Sequence, residues 1–314
     1  MDTTSRRTFL KLAALSAPSA ASMGSLAAWA EGHTARTSAG GPTQAWRTAG
    51  KLRCERVDPP QWRTAAASAE AIRLHPEQRH QELLGFGAAL TDASCFLLHG
   101  MPAEARKALL RECFSSNGLG LSVARTTVGS SDYSRNAYSY DESAEPDPEL
   151  AHFSIDHDRA YILPTLREVQ EVNRDVFYFS SPWSPPAWMK AGKSLEGGSM
   201  ESRYFGPYAE YFVKFIQGYA AAGVPIRAVT VQNEIDTDQD GRMPQCMWGQ
   251  EYEIKFVKEF LGPAFQKSSL DTKIWILDHN YNLWGRVADE FEDPGLAKYV
   301  DGVAWHGYYG SPAT

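Results

Sequence analysis

From Gly85 onward, short apolar runs alternate with longer stretches in which apolar residues recur every three or four positions. A run of three to five apolar residues bounded by turn formers reads as a buried strand; the longer recurrence reads as a helix burying one face. Six strands follow, ending at Ala88-Ala89-Leu90, Leu121-Ser122-Val123-Ala124-Arg125, Val176-Phe177-Tyr178-Phe179, Ala228-Val229-Thr230-Val231, Ile274-Trp275-Ile276-Leu277 and Gly302-Val303-Ala304-Trp305. Among the helices, Tyr204, Tyr208, Tyr211, Phe212, Phe215, Ile216 and Tyr219 fall on one stripe that Gly223 closes. A second stripe, Tyr252, Phe256, Val257, Phe260 and Leu261, is supported by Glu251 and Lys255 at i, i+4 and is expected to end at Gly262-Pro263. Both stripes read as core. Strand and helix in strict alternation imply a parallel sheet.

The first eighty-four residues follow a different pattern. Lys51-Leu52-Arg53-Cys54 and Ala71-Ile72-Arg73-Leu74 read as short strands on either side of the turn Asp58-Pro59-Pro60, so residues 45–84 are expected to contribute to a small β-sandwich side domain. Residues 31–44 form a Gly/Ser/Thr-rich spacer. Within residues 1–30, Ser5-Arg6-Arg7-Thr8-Phe9-Leu10-Lys11 precedes the apolar run Leu12 to Leu15 and the small-residue stretch ending Ala28-Trp29-Ala30. That is the layout of a twin-arginine signal peptide, and it implies export to a bacterial periplasm or the exterior. The apolar run is too short to span a bilayer, so no stable membrane insertion is expected once the signal is removed.

Composition narrows the function. The chain is 43% hydrophobic and 22% charged with a net charge of −7, and removing residues 1–30 takes away Arg6, Arg7 and Lys11 against only Asp2. Nucleic acid is therefore an unsuitable partner. Cys54, Cys95, Cys113 and Cys246 show no metal spacing and read as small buried hydrophobes, with their pairing open. A complete eight-unit barrel takes about 250 residues, and residues 85–314 supply six strands, so they read as an incomplete (β/α)8 TIM barrel, truncated after about the sixth strand. The rival, an open doubly wound sheet, would carry a glycine-rich phosphate loop; neither G-x-G-x-x-G nor G-x-x-x-x-G-K-[ST] occurs, and no cofactor is expected.

In a parallel barrel the reactive groups lie at the C-terminal strand ends. Here those ends lead into Thr91-Asp92, Ser130-Ser131-Asp132-Tyr133, Ser181-Pro182-Trp183-Ser184-Pro185-Pro186-Ala187-Trp188, Gln232-Asn233-Glu234, Asp278-His279-Asn280 and His306-Gly307-Tyr308-Tyr309. Carboxylates and amides bond hydroxyls in pairs while aromatic rings stack on the apolar face of a pyranose, so the rim suits a sugar. A phosphate would require more Arg and Lys. The sharpest element is Val229-Thr230-Val231-Gln232-Asn233-Glu234, an apolar strand delivering an Asn-Glu pair. Glycosidic cleavage needs a carboxylic acid with a raised pKa to protonate the leaving oxygen, a role that fits Glu234.

These residues carry a family resemblance. Pro76-Glu77-Gln78 leads into Gly85-Phe86-Gly87-Ala88-Ala89-Leu90-Thr91-Asp92, followed by Ser181 to Lys190, Ala228 to Glu234, Ile276-Leu277-Asp278 and Val303-Ala304-Trp305-His306-Gly307-Tyr308. In that order they resemble glycoside hydrolase family 30, which includes bacterial and lysosomal glucosylceramidases, over about Leu74 to Pro312. The resemblance implies a (β/α)8 barrel fused to a β-sandwich and retaining cleavage of β-glycosides by a two-glutamate double displacement. It implies Glu234 as acid/base with Asn233 beside it, and Arg125, Asp132, Trp183, His306 and Tyr308 around the terminal sugar. Arg125 would sit beneath the site and orient carboxylates.

Two departures bear on specificity. Ile235 and Asp236 follow Glu234 where the family commonly has Pro, and Gly307 stands where many glucosylceramidase-like members carry an aromatic. The family's attacking glutamate belongs to a seventh strand, so the nucleophile is expected to be absent from this chain, and Asp278 reads as a hydrogen-bonding rim residue rather than a substitute. Two rivals stay open. A metal-dependent hydrolase would use Asp92, Asp278, His279 and His306, but the chain lacks a His-x-His or His-x-x-x-His pair and no metal is expected. A catalytically silent carbohydrate-binding barrel would keep the subsites alone.

Overall fold

Six parallel strands lie side by side in chain order, each joined to the next through one or more helices. The computed structural model describes residues 44–61, 71–73, 75 and 77–312. The signal segment, nearly all of the spacer, Leu74 and Pro76 lie outside them. The chain divides into two units, Met1–Glu82 and Leu83–Thr314.

In the first unit an antiparallel hairpin joins β1 (Ala45–Arg47) to β2 (Glu55–Val57). Lys51 to Cys54 is not a strand: it is the turn between them. Gly50 and Cys54 both take positive φ, and the Cys54 amide donates to Thr48 Oγ1 at 2.9 Å, which folds the segment back on itself. Ala71, Ile72 and Arg73 have no regular structure.

In the second unit the strands are β3 (Gly87–Ala89), β4 (Val123–Val128), β5 (Phe177–Pro182), β6 (Ala228–Thr230), β7 (Lys273–Asn280) and β8 (Val300–His306). Every neighbouring pair is parallel and the order never reverses. A doubly wound sheet reverses its order at a switch point, so that rival is excluded. The sheet is a curled half-barrel of the (β/α)8 type. All three residues of β6 are buried, which is why that strand reads as an unbroken apolar run.

The tyrosine- and phenylalanine-rich stripe forms α4 (Phe205–Ala221), preceded by α1 (Asp92–Gly100), α2 (Ala103–Phe114) and α3 (Ile162–Val172). Gly223, at φ +83°, ends α4 as expected. Phe205, Tyr208 and Phe212 meet Phe256 of α5 (Gln250–Phe256) at ring-centroid distances of 5.5, 5.5 and 6.2 Å. Removing the fully buried Phe256 ring would cost about 3–5 kcal/mol through lost transfer energy and the cavity left behind. Tyr252, by contrast, is 44% exposed and is not core.

Gly262-Pro263 does not end the second aromatic helix. The chain passes through a π-helical turn, Val257–Leu261, and continues as α6 (Gly262–Lys267). The wider turn accommodates the proline without a break, and Gly262 is required for another reason: a Cβ there would overlap the Tyr299 ring. Helices α7 (Trp284–Glu290) and α8 (Pro294–Ala297) precede β8. Among the cysteines, all free, Cys95 and Cys246 are buried as expected, Cys113 is half-buried, and Cys54 is exposed because the hairpin turn carries it.

Candidate active site

The strand ends converge on a cleft of about 350 Å³, at the small end for ligand sites. Its wall contains Arg125, Asp132, Trp183, Asn233, Glu234, His306 and Tyr308, drawn from β4 and β8 and from the loops after β4, β5, β6 and β8. Sequence separations of more than 180 residues thus close into one site. Ala89, Thr91, Tyr133, Gln239 and Met243 complete much of the lining.

Arg125 is the hub beneath it. Its Nε donates to Ser181 Oγ at 3.1 Å, and its Nη2 donates to Asn233 Oδ1 at 2.7 Å and to Asp278 Oδ2 at 2.8 Å. The guanidinium also lies over the Trp183 ring, 4.8 Å from its centroid. Trp183 is only 6% exposed, so the open aromatic surfaces are those of Tyr133 at 65% and Tyr308 at 83%.

The Asn233-Glu234 backbone is clamped from several sides. The Asn233 amide donates to the Pro182 carbonyl at 2.8 Å and the Glu234 amide to the Asp278 carbonyl at 2.9 Å. Buried Gln245 donates its side-chain amide to the carbonyls of Asn233 and Glu234 at 2.7 and 2.8 Å. Lys190, itself 1% exposed, donates to the Gln245 carbonyl at 2.7 Å, and burial lowers its pKa to about 8. These bonds hold Glu234 at φ +52°, a left-handed conformation that costs a non-glycine residue about 1–3 kcal/mol and persists only where the surroundings enforce it.

A second strained pair faces it. Leu277 and Asp278 sit at φ +71° and +49°, where a bulge shifts the β7–β8 register between Leu277 and His279. Behind the bulge, Glu253 Oε1 accepts the Leu277 amide at 3.0 Å, and Arg286 bridges Glu253 and Glu290 at 2.8 Å each. The bulge turns the Asp278 side chain inward. Its carboxylate accepts from Arg125, from Thr230 Oγ1 at 2.7 Å and meets His306 Nε2 at 2.8 Å. Burial alone would raise its pKa, but Arg125 and His306 hold it well below the usual range. Asp278 is 2% exposed and fully engaged, so it is a buried anchor rather than a rim residue open to a sugar.

Electrostatics differ from the sequence expectation at Glu234. Its pKa is lowered rather than raised: His306, then His279 and Gln239, stabilise the anion more than burial disfavours it. Glu234 Oε1 lies 3.3 Å from His306 Nδ1, a charge contact without full hydrogen-bond alignment, and Gln239 donates to Oε2. For His306, burial acts to lower the pKa, yet Asp278 and Glu234 raise it to about 9. Asp132, at the exposed mouth, shifts upward as the pocket wall strips water from it and Glu234 adds like charge.

Strands β7 and β8 bring His279 and His306 to 5.6 Å between ring centroids, and with Glu234 they present ligand atoms within 4.8 Å of one another. A close His pair in sequence was therefore unnecessary to bring two imidazoles together, and this trio could hold a metal ion. Each imidazole also bonds a carboxylate, His279 to Asp236 and His306 to Asp278. The other two acids of the metal reading are committed elsewhere: Asp278 to Arg125, and Asp92 to Tyr161 Oη at 2.6 Å and the Arg135 amide at 2.9 Å. Gln239 and Gln245 have no sequence signature that singles them out.

Residues 83–314 match the model of the glycosyl hydrolase family 30 TIM-barrel domain. The chain belongs to that family. Among curated relatives, an endo-1,6-β-D-glucanase of Neurospora crassa is 34% identical over 242 residues, covering 75% of this chain and 50% of that protein. The lysosomal acid glucosylceramidase of Mus musculus is 34% identical over 247 residues, covering 76% and 48%. Among solved structures, an endo-β1,6-glucanase superposes with a TM-score of 0.71 at 34% identity, covering 76% of this chain and 54% of that one. The chain spans about half the length of the curated relatives it matches.

Proposed function

We propose that this barrel belongs to a retaining β-glycosidase acting on β-glucosidic bonds, of glucosylceramide-like β-glucosides or of β-1,6-glucan, exported through its twin-arginine signal. The observation that carries the reading is Glu234, held in a strained backbone at the wall of a cleft with the Gln239 amide and the His306 imidazole against its carboxylate.

Glu234 is the acid/base. In the first step a second carboxylate attacks the anomeric carbon, the C–O bond to the leaving group breaks, and Glu234 gives its proton to the departing oxygen. In the second step Glu234 takes a proton from water, whose oxygen displaces the enzyme carboxylate. Asn233 has its carbonyl oxygen committed to Arg125, leaving its NH2 to donate to the sugar 2-hydroxyl, a contact that strengthens in the transition state. Asp132 accepts from outer hydroxyls, and Tyr133 and Tyr308 offer the stacking surface that Arg125 takes from Trp183.

The lowered pKa of Glu234 sets a condition. Donation near neutral pH requires a like charge to push it back up, and the attacking carboxylate, about 5 Å away in a retaining site, supplies one. The silent-barrel reading draws on the same observation, since an ionised Glu234 binds sugar but donates no proton. Aryl β-glucoside, β-xyloside and β-fucoside turnover by the full-length protein, with glucosylceramide and β-1,6-glucan alongside, separates the two. Hydrolysis of the β-glucosides with the β-anomer as first product supports the glycosidase; binding without turnover supports the silent barrel, and an α-anomer product contradicts retention.

A further inference from the structure

The loop that follows β4 begins with Asp132 and Tyr133 in the cleft wall and continues to a second cluster of ligand-type groups at Asp141, Asp147 and His152. One oxygen of each carboxylate and one imidazole nitrogen lie within 4.8 Å of one another. Asp141 is the telling member. It is 1% exposed, and neither carboxylate oxygen has a hydrogen-bond partner among the described residues. A buried carboxylate without donors is costly, and such groups are ordinarily paired or bound to a metal.

The surroundings fix the cluster firmly. At the preceding residue, the Tyr140 amide donates to Tyr211 Oη at 2.9 Å, its carbonyl accepts the Ser154 amide at 2.7 Å, and its hydroxyl donates to Asp158 at 2.6 Å. On the other side, Asp147 Oδ2 accepts the His152 amide at 2.9 Å and faces His152 Nδ1 at 2.8 Å. Asp147 is nearly buried while the His152 ring is 64% exposed, which gives an ion a route in from solvent with Asp141 as the floor.

We propose that Asp141, Asp147 and His152 bind a divalent transition-metal ion of the zinc or manganese kind, which staples the loop carrying Asp132. Two carboxylates and an imidazole favour such an ion over calcium or magnesium, which prefer all-oxygen sets. The ion supplies the donor-side partner that both Asp141 oxygens lack.

The full-length protein, stripped with chelator and titrated with zinc or manganese chloride, is expected to bind one equivalent at this site and to melt at higher temperature when loaded. Asp141→Asn removes no side-chain hydrogen bond, and His152→Ala alters an exposed ring, so both should fold; each is expected to weaken binding by about 100-fold or more and to abolish the thermal response. Stabilisation by calcium alone, or no response to any of the three ions, would overturn the proposal. Binding that survives Asp141→Asn but disappears in His279→Ala would place the ion beside Glu234 and overturn it equally.

Discussion

Replacing Asp278 with Asn tests whether one buried carboxylate holds the site together. Two interactions are lost. The first is the 2.8 Å pair with Arg125, whose partner is 23% exposed and keeps its bond to Asn233. Removing one member of a buried pair costs about 3–5 kcal/mol, and the residual Asn233 bond places this case near the lower end. The second is with His306, whose pKa rises from 6.5 to about 9 against the opposing effect of burial. That rise corresponds to about 3 kcal/mol, shared between Asp278 and Glu234, and Asp278 at 2.8 Å holds the larger part against 3.3 Å for Glu234. Because the folded pKa lies above the unfolded one, this contribution is complete below about pH 6.5 and vanishes as pH climbs through about 9. The variant should therefore trail the wild type by roughly 5 kcal/mol at pH 6 and roughly 3 kcal/mol above pH 9, the second value being the Arg125 pair alone. In calorimetry the gap in melting temperature is on the order of 10 °C at pH 6 and narrows by about a third or more in alkali. Equal melting temperatures, or a gap that is constant or widens with pH, would refute the reasoning.

Other expectations follow from the packing behind the site. Burial, and after it the neighbouring Glu253, push the Glu290 carboxyl up; Glu290→Gln should cost under about 1 kcal/mol, whereas Glu253→Gln, which disturbs the bonds to both Arg286 and the Leu277 amide, costs about 3–5 kcal/mol in chemical denaturation at pH 7. Similar losses from the two variants would contradict the charge assignment. Gly262→Ala should destabilise by about 1–3 kcal/mol because its Cβ meets the Tyr299 ring, while Gly285→Ala, with open space around the new methyl, should be neutral or stabilise by up to about 1 kcal/mol. The same sign for both substitutions would show that helix propensity outweighs the Tyr299 contact.

The strands were legible in the sequence because the middle strands are largely buried and carry apolar runs, as Phe177-Tyr178-Phe179 and Ile274-Trp275-Ile276-Leu277 do, and the rim was legible because a parallel sheet puts its functional loops on one edge. What escaped depends on contacts distant in sequence. The turn at Lys51 to Cys54 looks like a strand because nothing local shows that Gly50 folds the chain back. Gly262 looks like a helix stop until Tyr299 is seen against it. Asp278 looks like a rim residue because its inward turn depends on a bulge held by Glu253. The direction of the Glu234 shift could not be read at all, since its sign depends on two imidazoles supplied by β7 and β8.

The role of Glu234 is open to one direct test: turnover by the full-length Glu234→Gln variant on two β-glucosides that differ in leaving group. A missing general acid costs about 10²–10⁴-fold where the leaving oxygen needs a proton, and far less where a strongly acidic phenol departs unaided. Loss of turnover on the natural-type alkyl β-glucoside, with substantial retention of the first step on the acidic aryl glucoside, is the expected result. Equal turnover of the alkyl glucoside by variant and wild type would contradict the assignment.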